Sequence, residues 1–266
     1  MKYSQYSIPE GTQTTFVEVW RWGQELERLH ARIAPRFARP EPRRRALAYL
    51  QGIVSSIERK NGWHLAEHAG ESRPDGMQRL LNSAVWDADL VRDDLRAYIL
   101  EQLGDPQAVL VIDETSFRKR GKKSAGVANQ HCGTTGQLEN CQVGVFLSYV
   151  SARGHTLVDR ELYLPLRWTQ DRERCREAGI PDSVGFATKC EQARQMIERL
   201  WQAKIPFAWV VAGIGLWREP GPAHLVGIPS VLLRVGGGLH GSGGDTHVRG
   251  SQTDDGGPGR GSLVSR

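Results

Sequence analysis

Small and apolar positions recur with a helical period through the first hundred residues. Phe16, Val19, Trp20, Gly23, Leu26, Leu29 and Ile33 fall three or four positions apart, and Pro35 closes the run, which predicts an amphipathic helix. A second stripe after Pro42, formed by Ala46, Leu47, Leu50, Ile53, Val54 and Ile57, predicts a helix that stops at Asn61-Gly62. Asp75 and Gln78 stand at capping-box spacing ahead of Leu80-Leu81. Asp87 opens a longer helical pattern through Val91, Leu95, Tyr98 and Gln102, closed by Gly104 and Pro106.

The period changes at residue 108. Ala108-Val109-Leu110-Val111-Ile112 is short, apolar and β-branched; period alone would also fit a helix, but length and branching favour a central strand buried on both faces. Cys141 to Val150 alternates through Val143, Val145 and Leu147, and Thr156 to Leu164 alternates more weakly before Pro165. Ala187 to Ala203 is a helix with Ala193, Met196, Ile197, Leu200 and Trp201 on its apolar side, and Phe207 to Val211 is the strand after it. Strands, helix, then strand is an α/β arrangement. Trp20, Trp63, Trp86 and Trp209 sit among apolar neighbours and are expected in the core.

Composition alters this picture mainly at the end. Residues 213–266 hold 15 of the 30 glycines and show neither period, so burial would not repay the entropy of ordering them; the expectation is a disordered tail in which only Val231-Leu232-Leu233 with Val235 could form a strand. The chain divides on this reading into a helical region 1–104, an α/β domain 105–212 and the tail 213–266. At 39 % hydrophobic and 24 % charged the 266 residues are ordinary for a globular chain. No apolar run reaches membrane-spanning length, and Met1-Lys2-Tyr3-Ser4 leads into no export core, so a cytoplasmic location is expected. Cys132, Cys141, Cys175 and Cys190 form no C-x-x-C pair and are expected to be reduced thiols.

Chemistry concentrates after the first strand. Asp113 and Glu114 follow it directly, and ligands of open α/β sheets bind at the carboxyl ends of strands. An acid there is either a divalent-cation ligand or a solvated or capping group. Arg118-Lys119-Arg120-Gly121-Lys122-Lys123 follows, readable as a solvated loop or as a phosphate-backbone contact. Arg36, Arg39, Arg43, Arg44 and Arg45 form a second basic patch, while Arg160-Glu161 and Asp171-Arg172-Glu173-Arg174 read as local ion pairs. The net charge of +5 is compatible with a polyanionic partner. Neither a P-loop, an H-E-x-x-H pair nor a G-x-S-x-G elbow is present.

Asp113-Glu114-Thr115-Ser116-Phe117 with its basic continuation resembles the first catalytic-aspartate region of DDE transposases, in particular the IS701-type family of bacterial insertion sequences. Further segments agree in order: Glu58-Arg59-Lys60-Asn61-Gly62-Trp63, Asp75 to Leu81, Trp86 to Asp89, Gly133-Thr134-Thr135-Gly136, Glu139 to Leu147, Asp159 to Pro165, and Trp168 to Cys175. The resemblance runs from about residue 15 to Gly213. It implies a helical N-terminal part followed by an RNase H-like domain in which acids from the first strand, the fourth strand and a later helix hold two Mg²⁺ or Mn²⁺ ions. Such a pair activates the attacking oxygen and stabilises the leaving one during hydrolysis and strand transfer of DNA. Asp113 corresponds to the first acid and a metal ligand; Arg118, Lys119, Arg120, Lys122 and Lys123 are the expected contacts to double-stranded DNA.

The resemblance breaks after the last strand. The family reads Ala/Thr-Gly-Asp there, continuing to Val-Tyr-Gly, where this chain has Ala212-Gly213 and then Ile214-Gly215-Leu216-Trp217. Ile-Gly-Leu-Trp can be encoded ATC GGT CTA TGG, whose letters one base on read Ser-Val-Tyr-Gly; a frameshift near codon 214 is therefore the expected origin of the tail. Asp245, Asp254 and Asp255 lie in that tail without a scaffold. The expectation is a transposase by descent that has lost the second aspartate and the glutamate. The alternatives are a non-catalytic DNA-binding or regulatory fragment, self-associating or pairing with an intact transposase, and an unstable pseudogene product.

Overall fold

The computed structural model describes residues 16–212. These fall into two compact units, one through Gln102 and the other from Leu103. The tail and its possible strand at 231–235 lie outside the described residues.

The first unit is helical. Helix α1 spans Phe16–Ile33 and runs into a 3₁₀ turn, Ala34–Arg36, at the expected Pro35. Helix α2, Pro40–Val54, starts earlier than predicted because both prolines fit its first turn, where no N–H partner is needed. It also ends earlier: Ser55 turns extended and its N–H closes on the Gly52 carbonyl. Asn61 is not a stop but a start. Its side chain accepts from the backbone N–H of Trp63 and His64, both at 3.1 Å, and caps α3, Gly62–His68. Helix α4 is Asp75–Asn82, with Pro74 rather than Asp75 at the cap position, so the predicted capping box does not form. Asp87 caps α5, Ala88–Leu103, through Asp89 and Leu90. Ile33, Phe37, Ala46, Leu65, Ala66, Met77, Leu80 and Val91 make the core, with Trp86 packed against Phe37 at 5.5 Å between ring centroids.

The second unit is a five-stranded sheet with helices. Strand β1 is Val109–Arg118, β2 Ala128–Cys132, β3 Gln137–Ser151, β4 Gly154–Tyr163 and β5 Trp209–Ala212. The short helices α6, Leu166–Thr169, and α7, Arg172–Glu177, precede α8, Lys189–Gln202. Strand β3 pairs antiparallel with β1 on one side and with β4 and then β2 on the other, while β5 lies parallel to β1. The path β4–β3–β1–β5, with helix α8 carrying the chain to the parallel strand, is the arrangement expected of an incomplete RNase H-like sheet. Helix α8 opens with a capping box between Thr188 and Glu191 and packs on β3 and β4. Leu110 and Ile112 of β1, Val143 to Tyr149 of β3 at alternate positions, and Val210 and Ala212 of β5 share one buried face.

Two expectations fail here. Strand β1 does not end at Ile112, because β3 is long enough to pair with it as far as Arg118. Of the four tryptophans expected inside, Trp20, Trp63 and Trp209 are 58 %, 63 % and 39 % exposed; among the described residues Trp168 is the tryptophan that is fully buried, its Nε1–H donating to the Val127 carbonyl at 2.8 Å. Burial of an indole requires such a partner, and an apolar neighbourhood in sequence does not provide one.

Candidate functional site

Asp113 lies where β1 passes from two-sided to one-sided pairing. Ile112 opposite Ala212 is the last described pair with β5, whereas Asp113 is still paired with Phe146 of β3. Alternation turns Asp113 away from the face that α8 covers and leaves it exposed beside Val111 and Thr115. One carboxylate oxygen accepts the Glu114 backbone N–H at 2.8 Å. Glu114, on the covered face, forms an ion pair with Lys189 at the start of α8, whose ammonium also sits 5.4 Å from the Tyr163 ring centroid. The two neighbouring acids are therefore in different environments.

The register that sets Asp113 beside the end of β5 depends on a residue that periodicity does not reveal. The Tyr149 hydroxyl, fully buried, accepts from the Asp105 N–H at 2.8 Å and reaches the carbonyls of Asp105 and Pro206 at 3.0 and 2.9 Å. It thereby joins the loop entering β1 to the loop entering β5, where Ala208 N–H also donates to the Ala108 carbonyl at 2.8 Å.

A groove of about 580 Å³ opens at the other end of β1, lined by Arg118, Lys119, Arg120, Asn129, Leu138, Glu139 and Asn140. Arg118 is held by Glu139 at 3.0 Å, while Lys119, Arg120, Lys122 and Lys123 are exposed. Asn140 carries no signal of its own in the sequence, yet its amide donates to the carbonyls of Lys119 and Gly121 at 2.7 and 2.9 Å. Arg174 of α7 donates to the Lys122 carbonyl at 3.0 Å and stacks 3.7 Å over Trp168, and Gln142 donates to the Ala125 carbonyl at 2.5 Å. Bonds to main-chain carbonyls thus fix the loop and leave its cationic side chains outward. Ser116 serves the same end of the strand: its Oγ accepts from Gly133 N–H at 3.1 Å, anchoring the Gly133–Gly136 turn.

The other charged segments have structural partners. Arg36 makes a two-pronged pair with Asp94 at 2.7 and 2.8 Å, Arg43 donates to the Phe37 carbonyl, and Arg45 pairs with Glu71 at 2.9 Å, so only Arg39 and Arg44 of that patch stand without such a bond. The expected local ion pairs are longer-range ties. Asp159, buried at an irregularity in the β3–β4 pairing, and Glu161 both bind Arg199 of α8 at 3.0 and 2.6 Å, and Asp171 caps α7. None of the four cysteines forms a disulfide.

Among the described residues no three His, Cys, Asp or Glu side chains gather as a metal set. Asp113 offers one carboxylate, Glu114 is neutralised by Lys189, and Asp159 and Glu161 are committed to Arg199. This donor set does not fit a two-ion centre. Position 214 and the acids at 245, 254 and 255 lie outside the described residues.

No described helix is long and apolar enough to cross a membrane. A family model described as DDE superfamily endonuclease matches residues 32–217. The chain is 30 % identical over 177 residues to a protein of Microchaete diplosiphon named "Probable transposase for insertion sequence element IS701", covering 66 % of this chain and 43 % of that one. It thus spans less than half the length of this relative. A helical unit followed by an α/β sheet accompanies both matches: the chain belongs to the DDE superfamily of endonucleases and is similar to the IS701 transposase.

Proposed function

We propose that this chain is a DNA-binding descendant of a metal-dependent transposase that keeps the first metal-holding acid, Asp113, and lacks the catalysis. On this reading the ancestral reaction is phosphodiester hydrolysis and strand transfer at insertion-sequence ends with Mg²⁺ or Mn²⁺. The observation that carries it is the pairing of Ile112 with Ala212: it sets the end of β5 against the residue before Asp113, and the sequence continues Gly213-Ile214 with no carboxylate. The family match stops at residue 217, at the start of the glycine-rich sequence, which supports the frameshift as its origin. Residues 1–104 and 105–212 then serve as a helical DNA-contacting region and a partial catalytic domain, in the cytoplasm on the nucleoid.

The DNA contact is assigned to Lys119, Arg120, Lys122 and Lys123, with Arg118 held at its edge by Glu139. Four outward cations on a loop tied by Asn140 and Arg174 suit a phosphate backbone. A second role, modulating an intact transposase by pairing with it, is favoured by the Asp113 face of the sheet, where Phe117 is 44 % exposed and Leu157 and Leu162 are also accessible.

The test is a cleavage and joining assay on plasmid DNA bearing the element ends, with Mg²⁺ and Mn²⁺. No strand cleavage is expected. Metal-dependent cleavage that Asp113→Ala abolishes would overturn the reading. Sequencing the gene tests the frameshift: it fails if no downstream frame encodes the missing Asp and Glu.

A further inference from the structure

We propose that the open face of the sheet binds single-stranded DNA, stacking unpaired bases on Phe117 and Phe146 and leading the phosphates to the basic loop at 119–123. This rests on the DNA-binding reading above for the loop, and adds a base-contacting surface that a duplex does not use.

The rings come first. Thr115 of β1, Gly144 of β3 and Leu162 of β4 stand in register across three strands, and Asp113, Phe146 and Arg160 form the neighbouring row on the same face. Gly144 has no side chain, and the Phe146 ring takes up that space. A Cβ there would stand 2.8 Å from Phe146 Cε2 and 3.7 Å from Phe117 Cε2. Phe117, paired with Gln142, meets Phe146 edge to face at 6.4 Å between ring centroids. Phe117 is 44 % exposed, Phe146 is half-buried and Leu162 is exposed. The alternation that turns Val143, Val145 and Leu147 inward turns this group outward. Two aromatic rings from adjacent strands, with Leu162 beside them, thus form a platform on the outside of the sheet.

The border of the platform decides its occupant. An apolar face alone suits a protein as well as a base. Here Phe117 leads directly into Arg118-Lys119-Arg120-Gly121-Lys122-Lys123. Asn140 and Gln142, alternate residues on the same face, both tie that loop down. Asn140 donates to the carbonyls of Lys119 and Gly121, and Gln142 to the carbonyl of Ala125. The cations are therefore held at one edge of the rings. A single nucleic-acid strand carries both complements, a π face on each base and a phosphate between bases. Paired bases keep their faces inside the duplex, so only an unpaired strand can use the rings.

Charge also orients the strand. Asp113, opposite Phe146, is exposed, and its carboxylate repels phosphate at the end of the platform away from the loop. The backbone is thereby directed to the cations and the bases to the rings. Pairing with an intact transposase would use the same face and leave the continuity of rings and cations without a role. Duplex and single strand then share the loop and differ at the rings.

The experiment uses the full chain and anisotropy titrations of four probes: a short unstructured pyrimidine DNA strand, the same strand built of abasic sites, its RNA counterpart and a duplex of equal length. The DNA strand with bases should bind at least about tenfold tighter than the abasic one, since a base–aromatic stack carries an effect of that order. Phe117→Ala should remove about tenfold of the strand affinity and leave the duplex unchanged. Phe117→Trp should retain strand affinity, and unchanged melting curves of both variants check the fold. Equal binding of the abasic strand, equal loss on the duplex, or tighter binding of the RNA overturns the proposal. So does a Phe117→Ala chain that binds the strand as before and no longer associates with an intact transposase, which gives the face to a protein. Substituting Lys119, Arg120, Lys122 and Lys123 by Ala separates the two readings. If that variant keeps its duplex affinity while Phe117 still governs the strand, the loop assignment fails and the platform stands. If it loses duplex affinity while bases make no difference to the strand, the loop assignment stands and the platform fails.

Discussion

At the scale of single residues, what the sequence displays and what it hides differ by chemistry. Asp113 is legible because a charged residue directly after a β-branched run must find solvent or a partner, and it is exposed. Asn140 and Tyr149 are not legible as positioning residues, because their partners are carbonyls 19 to 57 positions away. The tryptophans make the same point: Trp168 is buried because Val127 accepts its N–H, not because of its neighbours. Tyr149→Phe removes one hydroxyl and leaves Asp105 N–H without its acceptor in the interior; the expected cost is about 1–3 kcal/mol, read from urea unfolding. Since that hydroxyl joins the entries of β1 and β5, amide exchange at Trp209 to Ala212 should accelerate in this variant more than exchange in β3.

Elements were legible where a period ran long enough. Helices α1, α5 and α8 and strands β3 and β4 follow their hydrophobic patterns within a few residues. Short elements were not: α3, α6, α7 and β2 are too brief to show a period, and each is stabilised by partners elsewhere in its unit. Helix α2 shows how a pattern overruns its element. Ile57 continues the stripe, yet the chain turns at Ser55, where Lys60 donates to the carbonyls of Gly52 and Ser55. Gly52 is a tight point of this region, where a Cβ would stand 2.6 Å from Leu65 Cδ2. Gly52→Ala sets a methyl against the fully buried Leu65, and overpacking of that kind costs about 1–3 kcal/mol. Thermal unfolding of the full chain should show the loss as a lower melting temperature for the helical unit.

For the whole molecule, carboxylates tie elements together, and their titration sets its acid limit. Arg36 hydrogen bonds hold the Asp94 carboxyl below its ordinary range, and the Thr188 backbone N–H does the same for Glu191. A carboxylate whose folded value is depressed adds stability that is complete above its unfolded value and is lost as pH falls through the folded one. Chemical denaturation midpoints should therefore hold steady above about pH 5 and drop progressively below about pH 4. Asp94→Asn should flatten part of that drop, and a midpoint that ignores acid would contradict these ties. The sequence alone determined the order of the longer helices and strands and the family, because each is a matter of residue type, spacing or short-range period. Only the tertiary structure decided which cations remain outward and which bind carboxylates or carbonyls, and that β1 runs on past its acid. Those outcomes depend on which distant groups meet once the strands are in register and the helices are packed, and local pattern carries no record of that meeting.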